Sequence, residues 1–313
     1  MTEDDVFKPK VIVIGGPTAS GKSQLALDVA LKLKGAVLNA DSQQVYSCTP
    51  LLSACPDSRD KQLVEHKLYE IWPAEKNGSV VEWLHLATEE IQKTWAKKRI
   101  PVVVGGTGLY LDNLINGTTP IPETKPEIRE KVQELIAFKG VNFVHQKLYE
   151  FDPETATRLN KNDTTRVRRA YEVYLDTGKP LSFWHKMPMV KLLPEAEFVK
   201  VKLLPSADEL DARCFCRFDM MMEAGALQEA ERMYALHLSE KLPSMRALGV
   251  PELLEYFKGN LELGEAVAKA KLHSRQYAKR QRTWFANKFD ADVVLDHCYD
   301  GDAWIVQKIV NMC

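Results

Sequence analysis

The residues with the most legible chemistry are Gly15-Gly16-Pro17-Thr18-Ala19-Ser20-Gly21-Lys22-Ser23. They match G-x-x-x-x-G-K-[ST], with Gly16, Gly21, Lys22 and Ser23 at the fixed positions. Glycine lets backbone N–H groups turn inward around a phosphate with no Cβ in the way. A helix N-terminus adds about half a positive charge at the same point. Lys22 can then reach the outer phosphate, and the Ser23 hydroxyl can ligate Mg²⁺. Such a loop needs a strand before it and a helix after it. Lys10-Val11-Ile12-Val13-Ile14 reads as a buried strand, and residues 24–33 are apolar at helical spacing. Residues 16–23 are therefore expected to hold a polyphosphate or pyrophosphate.

A nucleotide-dependent phosphotransferase also needs an acid at the end of a later strand to hold its Mg²⁺. The buried stretch Ile100–Val104 runs instead into Gly105-Gly106-Thr107, with no carboxylate. The acid at a strand end is Asp41, after the strand expected at 35–40. In a parallel sheet ligands lie beyond the carboxyl ends of the strands, so Asp41 should face the phosphate loop. There it can take a proton from a nucleophile or hold Mg²⁺ through water; a turn or helix cap is the alternative. The glycines before Thr107 suggest a close approach of backbone to ligand, or a plain turn.

Three basic groups follow. Arg166, Arg168 and Arg169 flank both sides of one helix and suit phosphate binding, unless they form a solvated face. Arg275, Lys279 and Arg282 fall at i, i+4, i+7 and make one stripe, interleaved with Gln276, Tyr277, Gln281, Trp284 and Phe285. That mixture suits a single-stranded RNA loop, whose bases are stacked and read; an amphipathic helix with aromatics facing the core is the alternative. Arg213 and Arg217, four apart, could turn toward the phosphate loop or remain on the surface.

Composition narrows the class. The 313 residues are 45% hydrophobic and 27% charged, with net charge −1, so any RNA affinity must be local. Six cysteines with no C-x-x-C pair argue for reduced thiols, and seven histidines show no metal-ligand spacing. The acidic start Met1–Asp5 is unlike a signal peptide, and no apolar run approaches membrane length. A cytoplasmic monomer without membrane contact is expected. Strands expected at 10–14, 35–40, 100–104, 198–204 and 291–296 alternate with helices at 24–33, 80–98 and 302–312. Residues 47–60 read as loop. This is an α/β protein with a parallel sheet flanked by helices. Prolines near 120–126 and 180–194 bracket a strandless stretch, read as an inserted all-helical domain at 122–195 between core segments 1–121 and 196–313.

The ordered motifs resemble the tRNA dimethylallyltransferases. They are Gly16 to Ser23, Asp41-Ser42 with Tyr46, Gly105 to Tyr110, Asn162-Asp163 through Arg169, and Ala278-Lys-Arg-Gln281 with Thr283-Trp284. The resemblance implies a P-loop kinase-like fold that does not use ATP as its substrate. It implies that the loop holds dimethylallyl pyrophosphate together with Arg217 and Mg²⁺ near Ser23. Asp41 would take a proton from the exocyclic amine of the adenosine 3′ of the anticodon, with Thr107 near the attacked carbon. Ser42, Gln43 and Gln44 would touch that adenine and its neighbours. Arg129, Thr165, Arg166, Val167, Arg168 and Arg169 would hold the anticodon stem-loop, with Arg275, Lys279, Arg280, Gln281 and Arg282. Arg246 joins them, although Arg246–Pro251 is also similar to adenylate isopentenyltransferases. The chain departs from the family at Leu52-Ser53-Ala54-Cys55-Pro56, where a Gly-Thr-Ala-Lys-Pro sequence is usual. Two other readings are a nucleotide kinase and a non-catalytic RNA-binding protein.

Overall fold

The computed structural model describes residues 9–313; the acidic start lies outside them. β-Branched and apolar residues build the central strands, because only a strand buried on both faces tolerates so continuous an apolar run. The chain begins β1 (Lys10–Gly15), α1 (Lys22–Leu33), β2 (Ala36–Asn39), α2 (Ser58–Leu63) and β3 (Glu65–Lys67). It continues α3 (Val80–Ala96), β4 (Pro101–Gly105) and α4 (Gly108–Asn116). Five helices follow: α5 (Pro126–Lys139), α6 (Val141–Phe151), α7 (Pro153–Arg158), α8 (Thr164–Thr177) and α9 (Leu181–His185). Then come β5 (Glu197–Leu203), α10 (Ala207–Glu223), α11 (Ala226–Ala235), α12 (Val250–Phe257), α13 (Leu263–Lys288), β6 (Val293–Leu295) and α14 (Ala303–Val310).

The six strands form one parallel sheet in the order β3-β2-β4-β1-β5-β6. The chain leaves β1 toward one edge and later returns past it to the other. The switch point therefore lies beside β1, where a parallel sheet opens its ligand crevice. Register makes this concrete: Gly15 stands opposite Gly105 in the β1–β4 pair. The loops after these two strands leave the sheet at the same level. On one face Trp83, Ile91, Leu111 and Phe285 bring α3, α4 and α13 onto the sheet. On the other, Leu25, Val29, Ile305 and Ile309 bring α1 and α14.

Three elements correct the sequence reading. β3 is too short and too polar (Glu-His-Lys) to announce itself, and it forms because β2 offers it a free edge. α2 begins inside the expected 47–60 loop, where the Asp57 side chain accepts from the Asp60 N–H as an N-cap. After Thr107, where no element was expected, α4 starts at Gly108, and its buried Tyr110 stacks on Trp83.

The described residues divide into two compact units, the chain up to Ile115 with Leu192–Cys313, and Asn116–Lys191. The expected insertion was 122–195. The earlier boundary falls where Thr118 and Val190 exchange backbone hydrogen bonds of 3.0 and 2.9 Å at the base of the second unit. That unit, α5 to α9, has its own small core around Leu148, Ala156, Ala170 and Val173.

Candidate active site

The loop between β1 and α1 is shaped for close backbone approach. Ala19 and Gly21 both adopt left-handed φ values, 66° and 86°. Gly21 caps α1 without a side-chain acceptor, so the helix's first amides are left available to an anion. The turn is held from outside by the Tyr299 N–H, which donates to Ser20 O at 3.0 Å, and by the Cys298 thiol on Ala19 O at 3.7 Å. The Ser20 hydroxyl of the loop is fully buried with no partner among the described residues. An unsatisfied donor in a concave backbone loop is what a bound anion would complete.

Two cations converge here. Burial lowers the Lys22 ammonium from 10.5 to about 8; nearby Asp41 opposes the shift and Arg217 adds to it. Its Nζ lies 3.4 Å from Pro17 O. The Arg217 guanidinium donates to the Thr18 hydroxyl, reaching from α10 across 199 residues of sequence. Arg213, four residues earlier, instead pairs with Asp300 at the surface. Only Arg217 of that pair meets the loop.

Across the crevice, Asp41 follows β2. Asn39, fully buried at the end of that strand, accepts from the Asp41 N–H at 2.8 Å. Its amide donates back to Asp41 O at 3.1 Å and to Leu68 O at 3.0 Å. The backbone of Asp41 is thus fixed by a side chain the sequence reading did not single out, although a lone Asn in an apolar strand was a legible signal. One Asp41 carboxylate oxygen accepts from the Gln43 N–H at 3.0 Å. The hydroxyl of Thr107 accepts from the Ser42 N–H at 2.9 Å and donates to the Ser42 hydroxyl at 3.1 Å. The β2 and β4 ends are thereby bound together, with the Asp41 carboxylate near Lys22 of the β1–α1 loop.

Gln43 keeps a buried, unpartnered side-chain oxygen, whereas Gln44 is turned away: its amide donates to Ser53 O and Ala54 O. Cys55 lies beneath that turn, 3.3 Å from the Ser53 hydroxyl, and burial pushes its thiol up to about 12. It is a neutral packing group.

The chain matches the family model described as IPP transferase over residues 44–288. It belongs to the IPP transferase family. The tRNA dimethylallyltransferase of Rhodospirillum centenum is 45% identical over 281 residues, covering 90% of each chain. That of Cereibacter sphaeroides is 44% identical over 88% of this chain and 92% of the relative. Among solved structures, the tRNA isopentenylpyrophosphate transferase of Bacillus halodurans superposes with a TM-score of 0.69. It is 32% identical and covers 97% of this chain and 95% of that one. A eukaryotic dimethylallyltransferase acting on tRNA gives a TM-score of 0.81 at 28% identity, over 95% and 75% of the two chains.

The remaining expected contacts of this IPP transferase are distributed unevenly. On α8, Thr165 and Arg166 are exposed, and Arg166 pairs with Asp163 at 2.8 Å. Arg168 lies 3.3 Å from Glu172, and Arg169 donates to the Thr124 hydroxyl at 2.5 Å. Val167 is fully buried, so its side chain is a core group and cannot meet RNA. Arg129 is paired with Glu123 at 3.2 Å in the same unit. On α13, Arg275 pairs with Asp211 at 2.6 Å and the Arg282 Nε donates to Pro205 O at 2.7 Å. Lys279 has no acidic partner among the described residues, and Arg280 lies over the Tyr277 ring at 5.8 Å. Arg246 is exposed and, with Arg280 and His273, lines a cavity of about 300 Å³.

Gln281, expected at the RNA, is turned into the protein, and for the aromatics beside it the core-facing alternative holds. Gln281 is buried with both ends of its amide used within the protein. Phe285 is fully buried, and Trp284 packs against the same core. A helix 26 residues long presents its Ala266, Ala270, Ser274, Ala278, Gln281 and Phe285 stripe inward, and the aromatics lie on the packed side.

Proposed function

We propose that this protein transfers a dimethylallyl group from dimethylallyl pyrophosphate to the exocyclic amine of the adenosine 3′ of the anticodon in tRNA. The observation that carries the reading is a phosphate loop set opposite a carboxylate–hydroxyl pair, with a glycine turn where a kinase would hold its metal-binding acid. The adenosine nitrogen attacks the first carbon of the allyl group. The nitrogen–carbon bond forms as the carbon–oxygen bond breaks, the electron pair leaves on pyrophosphate, and Asp41 takes the amine proton. Developing charge on the leaving group meets the loop amides, Lys22 and Arg217. Thr107, fixed by Ser42 on the Asp41 side, has a hydroxyl that can orient the reacting groups.

Mg²⁺ suits this donor set. Ser23 offers an exposed hydroxyl at the head of α1. Among the described residues no group of three or more His, Cys, Asp or Glu side chains forms a cage. Mg²⁺ accepts such an open site because it keeps waters and takes phosphate oxygens. When bound it would neutralise charge on the pyrophosphate; Ser23 would position it.

Exposed Arg166 and Lys279, with Arg246 and Arg280, are the cations offered to the anticodon stem-loop. The test is direct. Purified protein with labelled dimethylallyl pyrophosphate should label bulk tRNA and leave AMP unlabelled. Labelled AMP would move the assignment to the adenylate enzymes, and consumption of ATP with a phosphorylated product would make it a kinase.

A further inference from the structure

Gln281 touches both sides of the crevice with a single side chain. It lies 263 residues from Thr18 and 175 from Gly106 in sequence. Its Oε1 accepts from the Thr18 N–H at 2.8 Å, and its Nε2 donates to Gly106 O at 2.9 Å. A carboxamide carries a permanent acceptor and donor at that spacing, where an ionised carboxylate offers only acceptors. The first bond engages an amide of the phosphate loop, so the Thr18 N–H is spent on the protein and the anion must be met by later amides. The second engages the residue immediately before Thr107. The room for it exists because residue 106 is glycine. A Cβ there would lie on the Gln281 amide and 3.3 Å from Asp41 Oδ2.

From this we infer that Gln281 is a positioning residue, not an RNA contact: it sets the spacing between the pyrophosphate loop and the Asp41–Thr107 side of the site. The inference rests on the prenyl-transfer reading, in which the leaving group sits on one side of that spacing and the attacking amine on the other. In-line displacement needs the reacting atoms about 3–3.5 Å apart, and a misplacement of about 1 Å costs on the order of 10²-fold in rate. Beyond the β1–β4 ladder, which ends at Gly15 and Gly105, no backbone hydrogen bond joins the two loops among the described residues. The carboxamide is that tie, and it is anchored in α13 one turn before the fully buried Phe285.

The test separates rate from affinity. Gln281→Met keeps the length and removes both bonds. Gln281→Glu keeps the acceptor for Thr18 but sets a second acceptor against Gly106 O. Single-turnover prenylation of an anticodon stem-loop RNA should slow about 10- to 100-fold in both. The dissociation constant of that RNA should stay within about threefold. Weakened RNA binding at an unchanged rate would make Gln281 a reader of RNA and overturn the inference, as would an unchanged rate with unchanged binding. Gly106→Ala attacks the same tie from its other end without altering α13. Its loss should not multiply with that of Gln281→Met, whereas multiplying losses would route it through Asp41 instead. Hydrogen exchange at the Thr18 amide should quicken in Gln281→Met, and unchanged protection would show that no tie exists. This last measurement is independent of turnover. Wild-type protein that made no prenylated RNA would defeat the functional reading and still leave the tie to be judged.

Discussion

Asp41→Asn keeps the size and polarity of the side chain and its turn contact with the Gln43 N–H, but removes the base. Turnover under saturating substrates should fall about 10²–10⁴-fold with the affinities for both substrates retained. A saturated rate equal to wild type would eliminate Asp41 as the proton acceptor. Lys22→Ala should behave oppositely. It should raise the KM for dimethylallyl pyrophosphate and leave RNA binding intact, since Lys22 belongs to the loop and not to either exposed basic surface. Both expectations come from residue types the sequence displays openly. What it did not display is the support from Ser42 against Thr107 and Gln281 between the loops; Asn39 beneath Asp41 was the one part marked in the sequence, as a lone Asn in an apolar strand.

Among the elements, the short edge strand β3 hangs on one carboxylate. A hydrogen bond from Lys67, at 2.9 Å, does most to hold the Glu65 carboxyl down to about 2; burial opposes it, and Arg99 adds to the lowering. Arg99 also donates to Lys34 O at 2.9 Å and to Gly35 O, so the same group fastens β3 to the turn before β2. A carboxyl depressed in the folded state stabilises above its unfolded pKa near 4.5 and loses that contribution as pH falls toward 2. After solvent screening the contribution is on the order of 1 kcal/mol. Urea unfolding of Glu65→Gln should therefore show a deficit at pH 7 that closes between pH 4.5 and 2. A deficit of constant size across that range would mean that the ion pairs contribute nothing. β3 was invisible in the sequence because three polar residues carry no period, and its identity comes from the partner strand.

For the whole molecule, a net charge of −1 leaves RNA affinity to local cations. The i, i+4, i+7 stripe on α13 suggested three phosphate contacts, but Arg275 is spent on Asp211 and Arg282 caps Pro205 O. Lys279 is the cation of that stripe left without an acidic partner among the described residues. Lys279→Ala should flatten the slope of log affinity against log salt by about 0.7, the value for one phosphate of a single strand. Replacing Arg282 as well should cost stability, seen as a lower melting temperature, more than it changes the slope. A further flattening of similar size on that second replacement would show that Arg282 leaves Pro205 to bind RNA. Arg166 on α8, exposed and paired with Asp163 at the surface, offers the corresponding test in the helical unit.

The sequence by itself determined the glycine-rich loop between β1 and α1, the parallel α/β core, the acid at the end of β2 and the strandless insertion. Each is written in local chemistry: glycine spacing, apolar runs of strand length, and a carboxylate directly after one. It did not determine which side chains of α13 face inward. An amphipathic helix carrying arginines, glutamines and aromatics has two plausible solvents for its mixed face, RNA or the protein's own core. Only packing on the sheet shows that Phe285 and Gln281 lie on the core side and Lys279 on the other. It likewise took the register of β1 against β4 to bring Thr18 and Gly106 within reach of one amide. Residues that far apart in sequence carry no local signal of contact, because only the order of the strands brings their loops side by side.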